Sequence, residues 1–202
     1  MNIQNLFPLP LGFARLNRDL TKTELDFILG QERYSNEGNT TSADRKILVG
    51  KELTDIREFV EDAMLEYFKQ VHNPKGDVSL YITQSWANYT EAGQWHHKHA
   101  HPNSFISGVF YPQADRLVDK IYFYKSGYER IKLQPETWNH WNSESWWYEV
   151  GAGDLILFPS HLEHMVRTKV GDETRVSIAF NTFLKGHIGV DESLTGLQLG
   201  EK

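Results

Sequence analysis

The chain has 202 residues, a formal net charge of −6 and a sequence pI of about 5.8. This acidic balance disfavours nucleic acid as a partner, because binding phosphates over a broad surface needs clustered basic residues. The sequence contains no cysteine, which excludes disulfides, thiolate zinc sites, iron–sulfur clusters and a cysteine nucleophile.

The beginning of the chain carries no recognisable targeting segment. Residues 1–12 lack the basic start, the apolar run and the small-residue cleavage site of a secretory signal. No stretch approaches the ~18 uninterrupted apolar residues of a membrane-spanning helix. We therefore expect no membrane association, and because a chain without cysteine suits a reducing compartment, we expect a cytoplasmic protein.

Residues 1–77 are predicted to form a helix-rich front. Residues 21–29 are a candidate short helix. Residues 52–71 place apolar side chains at spacings near 3.6 residues, which is the pattern of a longer helix with one apolar face.

Residues 78–185 are predicted to form a β core, because short segments rich in β-branched and aromatic residues alternate with turn formers. So many consecutive strands favour a sandwich or a closed barrel, since an open sheet would leave its edges unpaired. We expect one domain over residues 1–202, mainly β with flanking helices and with residues 186–202 as a tail. The predicted strands are 79–89, 104–111, 120–124, 154–158, 163–168 and 175–183.

A cluster of histidines is the first candidate for a functional site. His96, His97, His99 and His101 lie within six residues. In an extended strand, side chains two apart share a face, so the last three would point one way and His96 the other. A His-x-His pair can chelate a divalent ion, and open coordination positions would make the site catalytic in type. The alternative is a surface cluster with incidental metal affinity.

A second group lies further along the chain, where His161 and His164 are followed by Arg175 and Ser177. Arg175 comes eleven residues after His164, and polar residues 169–173 predict a turn between them. We expect a hairpin in which the side chains of His164 and Arg175 point into the same interior. The alternative for Arg175 is a surface arginine paired with an acid of the turn.

Taken in order, these motifs resemble the 2-oxoglutarate/Fe(II) oxygenases, in the branch of prolyl hydroxylases and related phage and bacterial oxygenases. Residues 93–101, 101–111, 153–159 and 175–177 carry the resemblance, which extends over roughly residues 81–183. It implies a double-stranded β-helix (jelly-roll, cupin-like) barrel backed by the N-terminal helices. It also implies Fe(II) as the metal and 2-oxoglutarate as the co-substrate.

The resemblance assigns a role to each residue. His99, His101 and His164 would be the metal ligands and catalytic residues, although His101 falls where most members have a carboxylate. Arg175, with Ser177 beside it, would hold the distal carboxylate of 2-oxoglutarate in a charge-assisted fork. Weaker candidates for polar contacts in the barrel mouth are Asn88, Tyr81 and Asn103, for which a local strand or turn role is the alternative.

Two assignments stay open. His97 rivals His101 as the partner of His99, because it also forms a His-x-His pair, whereas His161 lies further from Arg175 than the family spacing. Residues 138–148 contain four tryptophans, which predict either a lid or substrate platform, or a cap on the barrel end.

The resemblance implies a dioxygenase of hydroxylase type that acts on a small molecule or a protein side chain and releases succinate and CO2. A cupin-type dioxygenase or isomerase could instead use three histidines without 2-oxoglutarate, and a non-catalytic barrel could hold a metal for structure alone. Arg175 and Ser177 discriminate between these classes, because an enzyme without an oxo-acid co-substrate needs no carboxylate fork.

Overall fold

The computed structural model describes residues 1–127, 131 and 133–200. The helices are α1 (Lys22–Leu29) and α2 (Thr54–His72), and within the described ranges neither is long and apolar enough to cross a membrane. The strands are β1 (Gly12–Arg15), β2 (Arg33–Ser35), β3 (Thr40–Ser42), β4 (Ser79–Thr90), β5 (His96–His99), β6 (Ile106–Gln113), β7 (Lys120–Tyr124), β8 (Ser145–Glu149), β9 (Asp154–Pro159), β10 (His164–Val166), β11 (Arg175–Ile188) and β12 (Leu197–Leu199).

Both predicted helices are confirmed, with small shifts at their ends. Helix α1 begins at Lys22 because the Thr21 hydroxyl accepts the N–H of Glu24 while the Glu24 carboxylate accepts the N–H of Thr21. Helix α2 ends where Asn73 adopts a left-handed conformation, with φ of 41°. Its buried face carries the apolar residues whose spacing predicted the helix.

The main sheet runs in the order β1-β9-β6-β11-β4-β3-β2, with β12 added to β11. The long strand β11 lies between β6 and β4, and its pairing with β4 extends from Arg175 opposite Thr90 to Lys185 opposite Ser79. The second sheet runs in the order β5-β10-β7-β8. The mainly β class with flanking helices is therefore confirmed.

Two apolar layers hold the sheets and helices together. The outer face of the main sheet packs on the helices, where Tyr89 and Phe180 contact the cluster that contains Ile56 and Val60 of α2. The inner face packs on the second sheet through a cluster of Val109, Tyr111, Ile121, Phe123, Val150, Ile156, Phe158, Leu162 and Ala179. His164, named from the sequence as a metal ligand, lies at this inner layer, with its ring centroid 4.7 Å from that of Phe158 and 6.1 Å from that of Phe123.

The front of the chain is not only helical. Strands β1, β2 and β3 come from it and join the two ends of the main sheet. They are three or four residues long, which is too short for an alternating pattern to stand out in a sequence. Likewise, residues expected in the tail extend β11 to Ile188 and form β12.

Candidate metal centre and acid-binding pocket

Strands β5 and β10 place two histidines directly opposite each other. His99 ends β5, and its register partner His164 begins β10. His101 lies just beyond β5, where its backbone N–H donates to the Ser160 carbonyl at 2.9 Å. One ring nitrogen from each of these histidines lies within 4.8 Å of the other two, and the Nε2 atoms of His101 and His164 are 3.3 Å apart. We call His99, His101 and His164 the histidine triad.

Backbone carbonyls orient two rings of the triad. The Nδ1 atom of His99 is 2.8 Å from the His97 carbonyl oxygen, and Nδ1 of His164 is 3.1 Å from that of Leu162. A carbonyl can only accept a hydrogen bond, so each Nδ1 carries the proton. Each Nε2 is left with a free lone pair, which is the state needed to bind a metal.

Burial keeps the triad neutral at pH 7. It lowers the pKa of His101 to about 4. It also lowers the pKa of His164 well below its usual range, with a further contribution from the two neighbouring imidazoles. Burial lowers the pKa of His99 in the same way. Neutral imidazole is the ligand form, so no proton has to leave before a metal binds.

The histidine run departs from a regular strand. His96 pairs with Val166 and His99 with His164, so β5 has one more residue than β10 over this stretch and forms a bulge. The bulge turns the His96 ring towards its neighbours, 4.8 Å from the ring of His99 and 5.1 Å from that of His97. The prediction that His96 points away from the others is wrong for this reason.

Arg175 faces the histidines from the other sheet. It begins β11 of the main sheet, whereas β10 pairs with β5 and β7 in the second sheet. The predicted hairpin is therefore wrong, because the connection after β10 carries the chain from one sheet to the other. Arg175 and the histidines nevertheless face the same interior. Burial and the surrounding imidazoles lower the pKa of His96 to about 3, and the positive charge of Arg175 is close enough to contribute to the shift.

Two more charged side chains are buried beside Arg175. The Asp119 Oδ1 atom lies 3.4 Å from Lys169 Nζ and 3.7 Å from Arg175 Nη1, and each of the three side chains is at most 3% exposed. Arg175 also donates from Nη2 to the Thr90 hydroxyl at 3.0 Å. Two cations and one carboxylate leave a formal surplus of one positive charge. Because a buried unbalanced charge is costly, this acid pocket (Arg175, Lys169 and Asp119) suits one further carboxylate.

A family model described as "Putative 2OG-Fe(II) oxygenase" matches residues 84–181, which include the histidine triad and the acid pocket. The match extends over about half of the chain and supports the resemblance to the 2-oxoglutarate/Fe(II) oxygenase superfamily. No curated protein matches the sequence closely enough to count as a relative.

Solved structures share the fold of this chain. A 2OG-Fe(II) oxygenase family oxidoreductase from Burkholderia pseudomallei is 12% identical, with a TM-score of 0.56 over 85% of this chain and 84% of that one. HygX from Streptomyces hygroscopicus, solved with nickel, 2-oxoglutarate and hygromycin B, is 13% identical, with a TM-score of 0.55 over 85% and 82%. The carbocyclase SnoK from nogalamycin biosynthesis is 13% identical, with a TM-score of 0.56 over 85% and 77%. This likeness confirms a fold of the double-stranded β-helix type.

Ser177 and Asn88, both named from the sequence, lie together next to the acid pocket. They are register partners on β11 and β4, two residues from Arg175 and Thr90, and both are buried. Alternation along the strands puts them on the same face as Arg175. The Oδ1 atom of Asn88 has no hydrogen-bond partner in the part of the chain that the structure describes. A buried amide of this kind suits a pocket that receives a polar ligand.

The structure does not bring Tyr81 to this pocket. Tyr81 is nine positions from Thr90 along β4, or roughly 30 Å at about 3.3 Å per residue. It is half exposed and lines a surface cleft with Arg57 and Glu61 of α2. Asn103 occupies an exposed turn after His101 with φ of 55°, a conformation that asparagine tolerates better than most residues. Their proposed roles in the barrel mouth gain no support from these positions.

Lys169 and Asp119 are the charged residues of the acid pocket that sequence reasoning missed. Lys169 opens the turn of residues 169–173, and Asp119 lies directly before β7, between Val118 and Lys120. Both have the composition of ordinary surface turns, and no periodicity marks a buried charge in a loop. Only the fold, which closes both loops over Arg175, reveals them.

The tryptophan-rich stretch of residues 138–148 lines a separate cavity of about 500 Å³, with Trp146 and Phe123 in its wall and the N-terminal segment beside it. The indole N–H of Trp141 donates to the Asn5 side chain at 2.8 Å. Phe123 is the register partner of His164, so one wall of the cavity adjoins the triad. The role of this stretch as a lid or platform stays a prediction.

Proposed function

We propose that the chain is a 2-oxoglutarate- and Fe(II)-dependent oxygenase of hydroxylase type. The observation that carries the proposal is the position of three neutral imidazoles on the second sheet, together with a buried, net-positive acid pocket built around Arg175 of the main sheet. The structure of HygX with nickel and 2-oxoglutarate supports the same pair of ligands for this fold. His99, His101 and His164 would hold the metal, and Arg175 would hold the distal carboxylate of 2-oxoglutarate.

The triad has the donor set for a non-haem ferrous site. Three imidazoles on one side of an ion leave positions for a bidentate oxo acid and dioxygen. Because His101 replaces the usual carboxylate, the ligated metal carries one more positive charge, which favours the ferrous over the ferric state. When bound, Fe(II) with 2-oxoglutarate supplies the oxidising power to hydroxylate a C–H bond with dioxygen, while the oxo acid becomes succinate and CO2.

The protein's own residues bind and orient. Arg175 presents a planar fork to a carboxylate, and Lys169 adds a second cation that Asp119 only partly balances. The backbone acceptors at His97 and Leu162 hold two imidazoles with Nε2 free. Burial of the acid pocket excludes water, which strengthens each of these electrostatic contacts.

For the substrate we propose a chemical class and not a single compound. We propose a small molecule or a protein side chain as the substrate, with dioxygen as co-substrate. The cavity beside the tryptophan-rich stretch offers aromatic walls next to the triad. A cytoplasmic location belongs to the same proposal, because the cysteine-free chain suits a reducing compartment.

One observation favours a second candidate. Three imidazoles without a carboxylate also suit a cupin-type dioxygenase or isomerase that oxidises a chelating substrate directly. Such an enzyme leaves the surplus charge of the acid pocket without a partner, and for that reason the 2-oxoglutarate-dependent reaction is the better-supported function.

Anaerobic reconstitution tests the proposal. The protein is loaded with Fe(II) and 2-oxoglutarate, and the weak visible charge-transfer band of an oxo-acid chelate is expected. Admission of oxygen is then expected to yield succinate. A metal-loaded protein that shows neither the band nor succinate would rule out the proposal and leave the cupin-type enzyme or a non-catalytic metal-binding barrel.

A further inference from the structure

We propose that His96, His97 and His99 form, with Glu37, a second metal site that takes a zinc-like divalent ion. We call these four residues the rim site. Because His99 also belongs to the histidine triad, an ion in the rim site excludes an ion from the triad. The binding site stands on its own geometry, whereas its inhibitory effect rests on the proposed function.

The rim site already has its nitrogen donors together. One ring nitrogen from each of His96, His97 and His99 lies within 4.8 Å of the other two. Their ring centroids are between 4.6 and 5.1 Å apart. The bulge in β5 produces this grouping, since a regular strand would turn His96 to the opposite face.

An unpartnered buried atom points into the rim site. The Nδ1 atom of His97 is buried, and within the described part of the chain it has no hydrogen-bond partner. Its neighbour is Glu37 Oε2 at 3.9 Å. That distance is too long for a hydrogen bond, but it is within twice the ~2.0–2.2 Å length of a zinc–ligand bond. A tetrahedral ion holds two such donors roughly 3.3–3.6 Å apart, so a shift of about half an ångström by the exposed Glu37 side chain would let both atoms bind one ion.

The carboxylate is delivered by a turn that is attached to β5. Glu37 lies between β2 and β3, where the Trp95 N–H donates to the Gly38 carbonyl at 3.0 Å. Gly38 has φ of 85°, and a Cβ built on it would lie 2.6 Å from the Trp95 carbonyl oxygen. Glycine thus allows the close approach that brings Glu37 beside the histidines.

The donor set of the rim site differs in kind from that of the triad. Three imidazoles and a carboxylate make a closed set of four, which suits a tetrahedral zinc ion, whereas the triad leaves positions open. His99 has only one free nitrogen because its Nδ1 faces the His97 carbonyl. It can therefore serve one ion at a time, and zinc at the rim site would switch the oxygenase off.

The test uses the full-length metal-free protein, with Co²⁺ as a spectroscopic probe and Zn²⁺ in competition with a chromophoric chelator. His164→Ala breaks the triad and leaves the rim site intact. His97→Asn and Glu37→Gln do the reverse. Thermal unfolding checks that each variant is folded, and Glu37→Gln changes an exposed side chain that no fold contact requires.

We expect the His164→Ala protein to keep the intense visible bands of tetrahedral Co²⁺ and the His97→Asn protein to lose them. Loss of the Glu37 carboxylate should weaken Zn²⁺ binding by at least roughly ten- to hundred-fold, because loss of even an outer-shell partner of a metal site has an effect of that size. Zn²⁺ should inhibit succinate formation less in both rim variants than in the wild type.

Each proposal fails separately. If His97→Asn and Glu37→Gln bind Zn²⁺ and Co²⁺ as the wild type does, the rim site is disproved, and the oxo-acid band decides the proposed function. If His97→Asn shows no oxo-acid band with Fe(II) while His164→Ala keeps tetrahedral Co²⁺, the rim site stands and the oxygenase proposal falls.

Discussion

Arg175 and His164 lie on different sheets, so their roles can be separated by substitution. We expect Arg175→Ala to weaken 2-oxoglutarate binding by about 2–5 kcal/mol, as loss of one partner of a buried ionic contact does, with metal binding unchanged. We expect His164→Ala to abolish iron retention. Calorimetric titration of metal and of 2-oxoglutarate measures both effects. Loss of metal binding in Arg175→Ala would show that the roles are misassigned.

The surplus positive charge of the acid pocket predicts opposite changes in 2-oxoglutarate affinity for two substitutions. Lys169→Met removes a cation and should weaken 2-oxoglutarate binding, whereas Asp119→Asn removes the competing carboxylate and should strengthen it. Each change should amount to roughly 1–3 kcal/mol, the range for hydrogen bonds and contacts to charged groups. Titration of the nickel-loaded proteins with 2-oxoglutarate checks the signs, and a shift in the same direction for both variants would contradict the charge argument.

At the residue scale, the sequence pattern predicts the candidate metal ligands but not the charged groups around them. His99, His101, His164 and Arg175 could be named because their order and spacing follow a family pattern. Lys169 carries no such mark, since its burial depends on how a loop closes over the other sheet.

Among the elements, the central pairing of β6 and β11 depends on a glycine. A Cβ on Gly108 would lie 2.2 Å from Phe180 Cζ and 2.8 Å from Leu157 Cδ2, and both neighbours are buried. We expect Gly108→Ala to lower the free energy of unfolding by about 1–3 kcal/mol through overpacking. Urea denaturation measures the loss. The double variant with Phe180→Leu should recover part of it, and strictly additive losses would argue against the clash.

The start of helix α1 predicts a pH dependence. The Arg18 guanidinium, with the Thr21 contacts, lowers the pKa of Glu24 despite its burial. A carboxyl whose pKa is lowered in the folded state stabilises the protein above its unfolded pKa of about 4.3, and this contribution is lost as the pH falls through the folded pKa.

We therefore expect Glu24→Gln to cost about 1 kcal/mol at neutral pH, the usual value of a helix cap. The difference from the wild type should shrink as the solution is acidified below the unfolded pKa. Chemical denaturation across that range measures it, and a difference that grows on acidification would reverse the sign of the argument.

Element boundaries were predictable where a pattern ran long enough. Helix α2 and strand β7 follow from residue spacing and composition. The hairpin predicted between β10 and β11 failed because a polar turn does not reveal whether the next strand pairs with its predecessor or crosses to another sheet. The bulge in β5 was equally hidden, since it depends on register with β10, a strand far away in the sequence.

For the molecule as a whole, the proposed ligands would connect the two sheets, with the metal on the second and the oxo acid reaching the main one. Saturation to about 100 times the dissociation constant adds roughly 2.7 kcal/mol to the stability, or about 5–10 °C in Tm for a chain of this size. The nickel-loaded protein does not turn over, so it suits this measurement. Binding of nickel should raise the Tm by one such increment and binding of 2-oxoglutarate by a second, as measured by differential scanning fluorimetry. Arg175→Ala should lose only the second increment, whereas loss of both would place Arg175 in metal binding.

The fold class was predictable as a whole because helices and strands are segregated along most of the chain. The order of the strands was not. Strand β11 comes late in the sequence and yet lies at the centre of the main sheet, a long-range arrangement that no local pattern encodes.

The central place of β11 has a consequence for biosynthesis. Until residues 175–188 have left the ribosome, β4 and β6 each expose the edge that β11 will occupy, and such bare edges attract other chains. The nascent polypeptide is thus vulnerable to association with other chains from the synthesis of β4 until β11 has been made and has paired.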